Sequence, residues 1–272
     1  MLQYDFMRHA FAAATVVAVL SGVVGYFLVL RSQVFAGHAL AHVGFTGATG
    51  AVLISLAPLW GLVLMTLFAG VAMGFMGERL AQRDVVIGLV LAFSLALGLL
   101  FLHFYTSYAS EATTLLFGNI LAVDLRTVWT LSGLSALALG ALAVISRPLL
   151  FASLQPELAE AKGVRLRLYS VLFLAIVALA TAECAQIVGV LLVFALMVGP
   201  AAAAQRLTGA LASGVLLSAL FALVEAWLGI TLAFYTDWPS SFWITALSVA
   251  IYLLAGLPRL IERRAALQVP VG

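Results

Sequence analysis

The sequence predicts an all-α fold, a polytopic integral membrane helical bundle of about eight to nine transmembrane helices forming one domain over residues 1–272. Three observations carry this expectation. Of the residues, 65% are hydrophobic and only 9% are charged, whereas soluble domains are about a quarter charged; the mean hydropathy is +1.19. The charges gather between long apolar runs, as loops do between membrane spans. Runs such as 85–102 are almost wholly apolar, without the alternation over ~10 residues that a barrel strand needs.

A helix needs ~20 residues to cross a hydrocarbon core about 30 Å thick. The first apolar run, 10–30, follows a short tail that holds both Asp5 and Arg8, which argues for a retained helix rather than a cleaved signal. The next runs are 34–56, 59–77 and 85–104. Segment 110–122 is apolar but too short to cross, which makes it a re-entrant candidate. After the run 127–146 comes the one sizeable hydrophilic stretch, a loop from Ser146 to Arg167. Within it Pro156 suits a first helical position, Glu157 and Glu160 favour the positive end of a helix dipole, and Gly163 suits a helix end. A short amphipathic helix over 156–162 competes there with an ordinary connecting loop.

Runs 168–183 and 186–204 are separated by only Cys184 and Ala185, so Glu183 and Cys184 are expected at a solvated outer turn. Run 209–235 holds Glu225, and run 240–258 follows Tyr235 and Trp238 and contains Trp243; these aromatic residues suit interfacial anchors. Lys and Arg concentrate on the cytoplasmic side. With nine spans and an outer N-terminus, Arg31, Arg79, Arg83, Arg147, Lys162, Arg165, Arg167, Arg206, Arg259, Arg263 and Arg264 fall inside, and only Arg8 and Arg126 fall outside. The C-terminus is then cytoplasmic.

Candidate chemistry centres on His38 and His42. Four residues apart, they share a helix face, and at ~1.5 Å per residue from Arg31 they lie roughly 10 and 16 Å into the membrane. Ionisable side chains at such depth normally face a protein interior or an aqueous path, and imidazole is a common ligand for divalent transition metals. Two neutral histidines bonded between helices are the competing explanation. Small residues at 37, 41, 44, 47, 48 and 50 on the same helix suit close helix packing. Glu225 is the third candidate ligand, with an interhelical structural bond equally compatible. His103, at the outer end of its run, suits an interfacial position.

Several classes are excluded or disfavoured. A net charge of +2 is too small to imply nucleic acid. One cysteine leaves no intramolecular disulfide. The single lysine, Lys162, precedes Gly163 with no Gly-x-x-x-x-Gly-Lys-Ser/Thr loop, so a P-loop ATPase within this chain is excluded. No zinc-protease or nucleophile-elbow motif is present, which disfavours an enzyme.

Three stretches carry a family resemblance. Residues 30–42 run LRSQVFAGHALAH, residues 154–164 run LQPELAEAKGV, and residues 186–204 run QIVGVLLVFALMVGPAAAA. In this order they resemble the permease family of manganese, zinc and iron ABC importers, the ABC-3 family. The first matches an Arg-rich turn followed by Gly-Asp-x-Leu-(Ala/Ser)-His, the second Asp-Pro-Glu-x-Ala-x-x-x-Gly, the third Val-Gly-x-Leu-Leu-Val-x-Ala-Leu-Leu-x-x-Pro-Ala-Ala. The resemblance implies a permease in the plasma (inner) membrane, paired with a second permease chain, most simply as a homodimer. It implies an ABC ATPase subunit, which uses the ATP, docked at a cytoplasmic coupling segment of about 148–167, and an extracytoplasmic metal-binding protein. It also implies a transported divalent metal ion as cargo, with no permanently bound cofactor. His42 matches the family histidine, while His38 stands where the pattern has aspartate and Gln155 where the loop has aspartate. Imidazole in place of carboxylate makes a softer site, better suited to zinc than to manganese. A proton-coupled secondary transporter and a membrane-embedded hydrolase are the rival readings.

Overall fold

The computed structural model describes residues 3–75, 80–104, 115–118 and 120–267, with the side chains of 80–84 and 258–267 left aside. The expectations for Arg79, Arg83, the tail from Arg259 to Arg264, and part of the re-entrant candidate lie outside the described residues or side chains. Within the described residues the chain is helical: α1 (Asp5–Leu30), α2 (Val34–Leu53), α3 (Pro58–Phe75), α4 (Leu80–His103), α5 (Leu125–Leu154), α6 (Pro156–Ala161), α7 (Leu166–Val188), α8 (Val193–Leu207), α9 (Leu211–Thr236) and α10 (Ser240–Leu267). Short 3-10 turns cover Ile120–Ala122 and Val190–Leu192.

Eight helical segments among the described residues, one of them α8 together with the 3-10 turn before it, have the length and apolar composition to cross a membrane. The ninth long helix, α2, does not reach that composition, because two histidines, two threonines and four glycines dilute its apolar residues. At ~1.5 Å per residue its 20 residues nonetheless cover about 30 Å. A helix too polar for lipid must be wrapped by protein, and α2 is: it packs against α3, α4 and α7. Gly47 and Gly61 set the α2–α3 separation, since a Cβ on either would lie 2.2 or 2.1 Å from the other's carbonyl oxygen.

Helices α1 and α7 are central, with 67% and 78% of their spanning windows buried, against 22% for α4 and α10. One flank is α2, α3 and α4 beside α7; the other is α8, α9 and α10 beside α1. Large apolar side chains such as Phe68, Phe93, Trp129, Val144 and Leu216 face outward, as lipid requires. Trp238 and Trp243 stack at 5.7 Å, and the Trp243 indole N–H donates to Thr236 at 2.9 Å, an arrangement that suits the interface.

Two boundaries differ from the sequence reading, and the short helix offered for 156–162 forms. Helix α5 continues through Arg147 and Pro148 to Leu154, so the hydrophilic loop is shorter than expected; Pro removes one N–H, yet the chain on both sides keeps its helical bonds. The short helix α6 forms with Pro156 at its start, and Gly163 follows with φ 82°. Most consequential, α7 does not stop at Glu183. It runs to Val188 and ends at Gly189, whose φ is 89°.

Candidate functional site

The face of α2 repeats a polar residue every four positions: His38, His42 and Thr46. This spacing stacks side chains one turn above another. The His38 and His42 rings meet edge-to-face with centroids 4.8 Å apart. Phe194, in the first turn of α8, packs edge-on against His38 at 5.7 Å. His42 is 7% exposed, and its Nδ1 is buried with no hydrogen-bond partner among the described residues. His38 is half-buried. A ring nitrogen with a lone pair and no protein partner is available to a cation.

The ladder continues past the histidines. The Thr46 hydroxyl donates to the Ser94 carbonyl of α4, and Thr49 donates to the Phe45 carbonyl at 3.0 Å. Thr46 therefore fixes the rotation of α2 against α4 one turn beyond His42. This anchor was not legible beforehand, because Ser94 is remote in sequence and offers only its backbone. Phe194 was likewise invisible: a phenylalanine in an apolar run gives no sign of its neighbour.

Glu225 lies elsewhere. Helix α9 packs against α1, α8 and α10, not against the α2 flank. Glu225 has no exposed surface, and neither carboxyl oxygen has a hydrogen-bond partner among the described residues. Nearby helix α10 holds Ser248, whose hydroxyl is committed to the Ala195 carbonyl at 2.9 Å. Among the described residues no three His, Cys, Asp or Glu side chains gather as a ligand group, so the structure brings together His38 and His42 but not the predicted trio.

Glu183 corrects the sequence reading outright. It has no exposed surface, and the Ser135 hydroxyl of α5 donates to its Oε2 at 2.5 Å. Cys184 beside it is equally buried. A charged letter between two apolar runs suggested a solvated turn; a partner on another helix instead lets α7 carry it through the bundle. His103 ends α4 at an exposed position.

The sequence model of the ABC 3 transport family matches residues 3–258. The chain belongs to this family. The chain is 28% identical over 256 residues to the manganese transport system membrane protein MntC of Halalkalibacterium halodurans, covering 94% of this chain and 88% of that protein. It is 27% identical over 254 residues to the manganese import system permease protein ScaB of Streptococcus parasanguinis, covering 93% and 90%. Among solved structures it superposes on PsaBC from Streptococcus pneumoniae in complex with Fab with a TM-score of 0.84 at 26% identity, over 94% of this chain and 92% of that one. The ABC 3 family membership and the polytopic helical fold therefore agree. The ABC 3 motif positions quoted above fall on α2, on α6 and on the α7–α8 junction.

Proposed function

We propose that this chain is the membrane permease of an ABC importer for a divalent transition metal ion, working with a separate ATPase subunit. The observation that carries the proposal is the edge-to-face His38–His42 pair on a protein-wrapped helix. Two imidazoles give a transient site: a closed structural zinc site uses four ligands, and cargo must leave as well as bind. Glu225 is a third candidate ligand, reached only after movement of α9 relative to α2.

The donor set favours zinc, since imidazole suits zinc and carboxylate suits manganese. The names of the relatives point to manganese instead, and those names are matched at under 30% identity. A second copy of the chain would double the donors to four imidazoles about a shared path. The ATPase subunit docks at α6, a metal-binding protein delivers cargo from the outside, and the chain sits in the plasma membrane with a cytoplasmic C-terminus.

The test is uptake of radioactive zinc and of manganese into proteoliposomes containing the full transporter. His42→Ala is expected to lower uptake at least tenfold, about 1.4 kcal/mol or more in site affinity or barrier, at normal expression. Unchanged uptake would remove His42 from the path. A preference for manganese over zinc would reverse the selectivity argued from His38.

A further inference from the structure

Arg31 sits in the three-residue turn between α1 and α2, and it reaches both arms of the chain that flank α6. Its Nη1 donates to the Ser153 hydroxyl at 2.5 Å and to the Leu149 carbonyl at 3.4 Å, both near the end of α5. Its guanidinium lies 5.3 Å from the centroid of Phe173, on the first turns of α7. Ser153 stands three residues before Pro156, where α6 starts, and α7 begins at Leu166, after the turn over 162–165 that follows α6. One side chain thus links the end of α5, the second turn of α7 and the base of α2, and α5 and α7 are the helices that lead into and out of α6.

The turn that holds Arg31 is stiff. Arg31 N–H donates to the Phe27 carbonyl and Gln33 N–H to the Leu28 carbonyl, each at 3.0 Å, while Ser32 takes a positive φ of 54°. Leu28 packs on the first turns of α2, since a Cβ on Gly37 would lie 2.7 Å from its side chain. Displacement of Arg31 is therefore passed to α2, which carries His38 and His42 two and three turns on. Arginine suits this task through a planar fork that bonds on its edge and stacks on its face. A lysine would keep the charge and lose the stacking.

We propose that Arg31 is the positioning residue that transmits movement of α6 to the histidine-bearing helix α2, so that it sets how tightly ATP hydrolysis is coupled to cargo movement. The proposal rests on the permease reading above. It does not require Arg31 to touch cargo, and loss of Arg31 should leave hydrolysis running idle.

The experiment uses the full transporter in proteoliposomes with an environment-sensitive fluorophore on Phe35→Cys, in the first turn of α2. Phe35 is 41% exposed, whereas the native Cys184 is fully buried, so labelling is selective. ATP is expected to shift the signal in the otherwise unmodified complex. In Arg31→Gln that shift should fall at least about fivefold and ATP consumed per ion transported should rise about tenfold, with basal hydrolysis within about twofold. Ser153→Ala, which keeps the Phe173 stacking, should show the same change at smaller amplitude, and it decides the matter if Arg31→Gln does not assemble. A signal that shifts equally in these variants, or that never shifts while the unmodified complex hydrolyses ATP, overturns the link. A shift lost in Arg31→Gln, while the unmodified complex takes up neither metal, supports the link and contradicts the cargo reading alone.

Discussion

Glu183 has no exposed surface, and its hydrogen-bond partner among the described residues is Ser135. Gln in its place keeps the side-chain shape and an acceptor for that hydroxyl, so Glu183→Gln should shift thermal unfolding in detergent little. Glu183→Ala removes the acceptor and leaves a void, which together cost about 2–4 kcal/mol. Equal melting of the two variants would contradict a structural bond between α5 and α7. At this scale the sequence was a partial guide. His38 and His42 announced themselves because their spacing matches a helix turn and because imidazole is rare in an apolar run. Glu183 was misread because a carboxylate in a one-dimensional string looks the same at a turn and inside a bundle. What separates the two is Ser135, a neutral residue 48 positions away. Glu225 was found but not its neighbours, since no local pattern states which helix a buried carboxyl faces.

At the scale of elements, the α7–α8 junction turns on two glycines rather than on Glu183. Gly189 has φ 89° and Gly118 has φ 74°, and the two backbones touch. A Cβ on Gly189 would lie 2.3 Å from the Gly118 nitrogen. Gly189→Ala thus meets both a left-handed backbone and a backbone clash, and it should destabilise the chain by about 2 kcal/mol or more. A wild-type melting temperature would contradict this packing. The helices themselves were legible, because apolar runs of ~20 residues are a strong signal. Their ends were less so. Arg147 and Pro148 resemble a loop in sequence, yet α5 passes through them. Helix α6 was foreseeable from Pro156 and Gly163, a case where backbone chemistry fixes both ends.

For the whole molecule, the decisive element is α2. Its apolar run suits a span, yet the described helix is more polar than the other eight, and it packs against α3, α4 and α7. If α2 crosses, five spans separate Tyr4 from Lys162, and the two lie on opposite sides. Single cysteines at Tyr4 and Lys162 should then react with an impermeant maleimide from opposite faces of the membrane, against a background in which Cys184 is buried. Reaction from the same face would mean that α2 does not span.

Under the proposed function, α6 couples this ABC 3 family chain to a separate ATPase that drives metal past the histidine-bearing helix, a coupling with a direct consequence for ATP turnover. It is tested most directly by ATP hydrolysis in proteoliposomes that hold the chain, its ATPase subunit and the extracytoplasmic binding protein loaded with zinc or manganese. Hydrolysis should rise with the loaded binding protein, and the rise should vanish when residues 156–163 are replaced by a flexible linker. Metal uptake that follows a proton gradient, with no ATPase bound and no dependence on that segment, would contradict the account.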